Sequence, residues 1–270
     1  MRTLRTIPEL HEALAPFRHS VEVGLVPTMG ALHEGHHALV AVARSECEVV
    51  VASVFVNPAQ FGPAEDFERY PRDEARDGLL ADEWGVNLLF APSRDELYPD
   101  GFQTWVDVDE LGRSLEGEAR PGHFRGVATV CLKLFNLVCP RRAYFGQKDA
   151  QQAAVVERMS RDLDLSVEIR VLPTVRDEDG LAFSSRNAYL SPAEREAARA
   201  LPRALTAGAH AYRQGMDPRE PARRVLASEP LLAPEYIEVA RLNGRTYLLA
   251  AIRAGRTRLI DNVVLEGDLT

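Results

Sequence analysis

The sequence predicts an α/β chain, a doubly wound parallel sheet followed by a smaller α+β domain. Three observations predict it. Short apolar runs alternate with helix-spaced segments from residue 20 to 172, which implies βαβ crossovers and a parallel sheet covered on both faces. The run Glu48 to Val56, EVVVASVFV, is β-branched and apolar on both faces, the pattern of a central parallel strand. After the charged stretch Arg176 to Gly180, RDEDG, one long Ala- and Arg-rich helical segment precedes three strand-like runs.

Each element has its own warrant. Val21 to Met29 is an apolar run ending in Pro and Gly signals, hence a strand, and Glu34 to Cys47 places Leu39, Val40, Ala43 and Cys47 at helical spacing. Arg72 to Trp84 reads as a helix, Val86 to Ala91 as a strand, and Arg125 to Val138 as a helix with Val127, Val130, Leu134 and Val138 at its turns. The strand Ala143 to Phe145 leads into a helix from Ala150 to Leu163, and Val167 to Leu172 is the next strand. Beyond it come a helix over Pro192 to Gln214 and strands at Tyr236 to Leu242, Tyr247 to Ile252 and Thr257 to Val264. The expected division is a Rossmann-like domain over residues 1–174 and a smaller α+β domain over 175–270 that covers the site. In doubly wound sheets ligands sit beyond the carboxyl ends of the strands, where the loops starting at Pro27, Asn57 and Gly146 all fall.

Composition narrows the function classes. The 270 residues suit two domains, and 46% hydrophobic with 27% charged residues is ordinary for a globular protein. Lys and Arg total 32 against 40 Asp and Glu, a formal charge of −8, which argues against a broad footprint for nucleic acid or anionic lipid. The opening MRTLRTIPEL lacks a following apolar segment, and no stretch approaches the roughly 18 apolar residues of a membrane span. A cytoplasmic protein is expected. Cys47, Cys131 and Cys139 are odd in number and form no CxxC pair, so they are read as reduced and mostly buried. Among the 32 basic residues only Lys133 and Lys148 are lysines, which marks both for work that needs a compact ammonium.

The segment Pro27 to His36, PTMGALHEGH, ends a strand and opens a helix. Gly30 and Gly35 let backbone approach a ligand, and the first helical turn is expected to offer free N–H groups to an anion. His33 and His36 are three apart and share one face of that turn, while His37 points away. Two imidazoles there suit nucleotide phosphates, although a surface or metal-bound histidine pair has the same spacing. Asp149 fits a helix N-cap. For Lys133, mid-helix, a snorkelling side chain is expected.

HxGH at this position resembles the nucleotidyltransferase superfamily, which includes class I aminoacyl-tRNA synthetases and small adenylyltransferases. The longer string PTMGALHEGH, with SVFVNPAQF, YPR, PGHFRGV, YFGQKDAQQ and FSSRN in that order, resembles the pantothenate synthetase family. The resemblance spans most of the chain. It implies that Met29, Gly30, Ala31, Leu32, His33, Glu34, Gly35 and His36 line the ATP phosphates, with His36 as proton donor. It further implies that Gly146, Gln147, Lys148 and Asp149 bind ATP, Lys148 on phosphate, and that Val175 sits by the adenine. Phe183, Ser184, Ser185 and Arg186 would form a mobile second loop over the phosphates. Gln60 and Gln152 would hold pantoate, and Gln60 would also face β-alanine. Phe183 stands where Met is common, Gln147 where Glu is common and His37 where an apolar residue is common.

The implied reaction joins pantoate to β-alanine through an acyl adenylate, with His36, His33, Lys148 and Arg186 as the catalytic set. Mg²⁺ would accompany ATP, with Asp77, following YPR, as a candidate ligand. A homodimer is expected from the resemblance alone. The alternatives are an adenylyltransferase acting on a phosphate acceptor, against which the uncharged Gln60 and Gln152 stand, and a non-catalytic nucleotide-sensing module.

Overall fold

In the computed structural model, which describes residues 1–18, 20–63 and 65–269, the run VVVASV lies inside a six-stranded parallel sheet. Its elements, in chain order, are β1 (Arg2–Leu4), α1 (Ile7–Leu14), β2 (Val23–Thr28), α2 (Glu34–Glu46), β3 (Val49–Val54), α3 (Glu74–Glu83) and β4 (Leu88–Phe90). There follow α4 (Arg94–Leu97), α5 (Glu116–Ala119), α6 (His123–Val138), β5 (Arg142–Gly146), α7 (Ala150–Asp162) and β6 (Glu168–Leu172). The strand order is β1-β4-β3-β2-β5-β6. Residues 1–145 and 151–172 make one compact unit, and 146–150 with 173–270 make a second.

Side-chain alternation sends successive residues of β3 to opposite faces, and both faces are covered. Val50 and Ala52 join Leu39, Val40 and Ala43 of α2, Ala81 of α3 and Leu89 of β4 in one buried layer. Leu25, Val51 and Phe90, on the other face, are also fully buried. The order reverses at β2, which pairs with β3 over its whole length but with β5 only at Gly24 and Leu25. Pro27 has no N–H for a longer ladder, so β2 and β5 stop pairing short of their carboxyl ends. That reversal is the switch point at which such sheets bind ligands.

Strand and helix limits agree with expectation to within one or two residues for β2, β3, β6, α2 and α3. Helix α3 begins at Glu74 because the Asp73 carboxylate caps it, accepting the Arg76 amide at 3.0 Å. Helix α6 starts at His123, two residues before expectation, straight after Gly122 in a left-handed conformation. Sequence reading missed β1 and α1, although Thr6 and Glu9 form a capping box in front of Leu10 and Leu14. The edge strand β1 has only three residues, too few to show a period.

The second unit contains α8 (Pro192–Ala198), α9 (Ala200–Arg213), α10 (Arg219–Ala227) and an antiparallel sheet of β7 (Leu232–Leu242), β8 (Arg245–Ala254) and β9 (Thr257–Glu266). The single helix expected over Pro192 to Gln214 is two helices, broken at Arg199. Pro202 explains the break: in the first turn of α9 its missing N–H is not needed, whereas inside one continuous helix it would be. Leu201, Leu205 and Leu226 pack on Leu248, Ile252 and Leu259 to form the core. Helix α10 was not anticipated.

Candidate active site

The loop after β2 is tied to its own surroundings. Thr28 Oγ1 donates to the Ser53 carbonyl at 2.7 Å and accepts the Gly30 amide at 3.1 Å. The Asp77 carboxylate accepts the amides of Ala31 and Leu32 at 2.9 and 2.8 Å. Gly30 and Ala31 both have positive φ, +78° and +50°, and a Cβ on Gly30 would come within 2.7 Å of Asp77 Oδ2. Glycine is required at that position; Ala31 makes the same turn at the cost of backbone strain.

At the start of α2 the amides of Gly35 and His36 are taken by His33, its ring and its carbonyl. His33 is the N-cap of α2 and not part of its first turn, and its Nδ1 accepts the Gly35 amide at 3.1 Å. His36 Nδ1 accepts the His33 amide at 3.3 Å, which completes a capping box built from two histidines. The rings lie 4.1 Å apart, tilted by 30°. With Nδ1 accepting in both, Nε2 is the ring nitrogen that can carry a donor N–H. The amides of Gly30, Ala31, Leu32, His33 and Gly35 thus donate within the loop and to Asp77. His37 turns aside, stacking on Trp84 at 5.0 Å and meeting Glu34 Oε2 at 3.0 Å.

Asn57 and Gln60 sit just past β3, beside the β2 loop because Val54 pairs with Thr28. Asn57 caps the short turn Pro58–Gln60 through its Oδ1, and its Nδ2 donates to Gln60 Oε1 at 2.9 Å and to the Gly126 carbonyl at 3.1 Å. Gln60 is 6% exposed, and with its oxygen so engaged its Nε2 is the atom left to donate to an acid or hydroxyl. Its backbone carbonyl accepts from His123 Nδ1 at 2.9 Å and from Arg120 at 3.1 Å, and Arg120 also forks onto the Glu65 carboxylate. Burial first, then the Arg120 charge, push the His123 pKa down to about 4, so this ring is neutral and is the Nδ1–H tautomer. Gly126 permits the fit, since a Cβ there would overlap the Ala59 carbonyl.

In the second unit, Gln147, Lys148 and Asp149 form a 3₁₀ turn that runs directly into α7. Asp149 thus lies inside helical backbone and does not act as an outside N-cap; its Oδ1 stands 3.5 Å from Lys148 Nζ. Gln147, expected at ATP, donates to Asn262 Oδ1 at 3.1 Å, and Asn262 donates back to the carbonyls of Gln147 and Lys148. Ser184 caps the turn Ser185–Tyr189 by accepting the Arg186 amide at 3.3 Å, and the Val175 carbonyl accepts the Phe183 amide at 3.1 Å. Asp261 pairs with Arg176 at 2.6 Å, fixing the segment that follows Val175.

Gln152 is half-buried at the start of α7 in the first unit, while its neighbour Gln151 is fully committed to the 111–116 loop through three hydrogen bonds. Lys133 places its ammonium 4.9 Å from the Phe102 ring centroid, a cation–π contact where a snorkelling stem was expected. Cys47 and Cys131 are buried thiols and Cys139 is exposed.

Asp77 is the candidate Mg²⁺ ligand. Both oxygens of Asp77 accept loop amides, and among the described residues no group of three or more His, Cys, Asp or Glu could hold a metal ion. Among the described residues no helix is long and apolar enough to cross a membrane.

Asn57, His123 and Asn262 are functional candidates that sequence reading did not single out. Asn262, with Asp261, left a signal: a polar pair between the apolar Leu259–Ile260 and Val263–Leu265 of one strand. The other two lie within quoted motifs, but their hydrogen bonds depend on tertiary contacts.

Residues 2–264 match the family described as Pantoate-beta-alanine ligase. A protein of Roseiflexus castenholzii named pantothenate synthetase is 52% identical, covering 98% of this chain and 100% of that one. The crystal structure of pantothenate synthetase from Thermus thermophilus superposes with a TM-score of 0.94 at 49% identity, covering 99% of this chain and 100% of that one. That of pantoate-beta-alanine ligase from Francisella tularensis, complexed with beta-gamma ATP and beta-alanine, gives 0.85 at 33% identity, covering 99% of both chains.

Proposed function

This chain belongs to the pantoate-β-alanine ligase family, and we infer that it condenses pantoate with β-alanine using ATP, by way of a pantoyl adenylate. A pantoate carboxylate oxygen attacks the α-phosphorus, and the bond to pyrophosphate breaks. The β-alanine amine then attacks the activated carbonyl, AMP leaves, and the amine gives up a proton to yield the amide of pantothenate.

The observation that carries this reading is the capping box in which His33 Nδ1 and His36 Nδ1 accept backbone amides at 3.1 and 3.3 Å, which leaves Nε2 of each ring to donate, on the loop after β2, whose paired strand β3 leads to Gln60. Charge that grows on the leaving pyrophosphate is stabilised by fixed donors that need no reorganisation, and His36 is the proton donor. Gln60 and Gln152 take pantoate, Gln60 also β-alanine. Residues 1–174 bring these groups; among residues 175–270, Val175 is assigned to the adenine and Phe183, Ser184, Ser185 and Arg186 to the phosphates. Gly146, Gln147, Lys148 and Asp149 contribute a turn whose ammonium meets phosphate and whose Asp149 carboxylate suits the ribose hydroxyls. Mg²⁺ would come in on the ATP phosphates, whose hard oxygens suit it, with water completing its shell. The protein works as a homodimer in the cytoplasm, where ATP is supplied.

A chase experiment tests the reaction order. Enzyme, ATP and pantoate without β-alanine should build a stoichiometric acyl adenylate, and adding β-alanine should release AMP and pantothenate together. Release of AMP from ATP and β-alanine without pantoate would refute it.

A further inference from the structure

One buried carboxylate holds the turn that presents the histidine pair. Asp77, in the first turn of α3, is 1% exposed. Its Oδ2 accepts the Ala31 amide and its Oδ1 the Leu32 amide, while the neighbouring Arg76 donates to the Leu32 carbonyl at 3.1 Å. The residues so held are the left-handed Ala31 and the one immediately before the N-cap of α2. A backbone in that conformation persists only where its surroundings over-determine it. As a direct nucleotide ligand the carboxylate would be repelled by phosphate, and its bonds run instead to the loop's own amides.

We propose that Asp77 is a positioning residue for adenylation: it fixes the turn through Ala31 and Leu32, which places His33 at the N-cap and so aims the Nε2–H groups of His33 and His36. Aim passes from His33 to His36 because the His33 amide donates to His36 Nδ1. The proposal deepens the functional reading above and rests on it. Replacement by Asn keeps the shape but sets an amide NH₂ against a backbone N–H, leaving one loop amide unpaired. Replacement of Arg76 by Met removes the Leu32 carbonyl contact and the positive charge beside Asp77, while leaving both Asp77 bonds to the loop, and is a milder disturbance of the same turn.

The test is a double-mutant cycle in pantoate-dependent pyrophosphate exchange, with Mg²⁺ titrated for each variant. Asp77→Asn should lower kcat roughly 10- to 100-fold, with KM for pantoate and half-saturating Mg²⁺ within about twofold of the parent. Arg76→Met should lower kcat roughly 3- to 10-fold. Either change added to His36→Ala should cost clearly less than it does in the parent, because only the aim of His33 is then left to lose. Losses that multiply in the double variants would show a general structural role and overturn the proposal. So would a parental rate in Asp77→Asn, or a shift of Mg²⁺ half-saturation that accounts for its loss. If Asp77→Asn does not fold, the Arg76→Met cycle decides by the same criterion. Absence of exchange in the parent protein would instead defeat the functional reading itself.

Discussion

Asn57 Nδ2 donates to Gln60 Oε1 at 2.9 Å, which fixes the one rotamer of the Gln60 amide that turns its nitrogen into the available donor. Without that bond the amide can flip and offer either end to an acid. Asn57→Ala should therefore raise KM for pantoate about tenfold while leaving KM for ATP nearly unchanged, and should cost about 1–2 kcal/mol of stability by unpairing the Gly126 carbonyl. Equal changes in the two Michaelis constants would detach Asn57 from acid recognition.

His123 makes stability depend on pH with a definite sign. Its folded pKa is pushed down to about 4, below the value of about 6.5 expected when unfolded, so between these limits the unfolded chain binds a proton that the folded chain refuses. The contribution is fully present above about pH 6.5 and is lost as pH falls towards 4, up to roughly 3 kcal/mol in all. Denaturant melts at a series of pH values should show this slope, and His123→Asn should remove about one proton from it. An unchanged slope in the variant would mean that the buried ring is not the group responsible.

Much of this fold was legible because the signals are local. The two-faced apolar character of β3 and the spacing of Leu39, Val40 and Ala43 in α2 reflect burial that each residue undergoes by itself. The Ala- and Arg-rich stretch kept its helical spacing across Arg199, so only the consequence of Pro202 went unread. At the site, residue types were legible and donor directions were not. Whether the amides after Gly30 face a ligand or face Asp77 depends on a side chain 46 residues away, and nothing in the segment itself records that choice. The same holds for Gln147, whose partner Asn262 lies 115 residues further on.

Lys148 and Lys133 separate two uses of an ammonium. Lys133 rests on the Phe102 ring and has its pKa lowered by burial, while the carbonyl of Lys148 is anchored by Asn262 and its side chain is 19% exposed. A guanidinium also binds aromatic faces, so Lys133→Arg should leave activity and melting temperature nearly unchanged. Lys148→Arg should lose most adenylation, because a planar fork cannot take the place of a compact charge between phosphate oxygens. Equal exchange rates for the two variants would mean that charge alone suffices at Lys148.

Pyrophosphate exchange into ATP, run with and without pantoate on the parent protein and on His36→Ala, tests the central claim most directly. The paired imidazoles supply the donors that the loop backbone has committed to Asp77 and to the capping box. Exchange should appear only with pantoate and should fall about 10²- to 10³-fold in His36→Ala, with the melting curve little changed. Exchange that proceeds without pantoate, or at the parental rate in His36→Ala, would contradict the account.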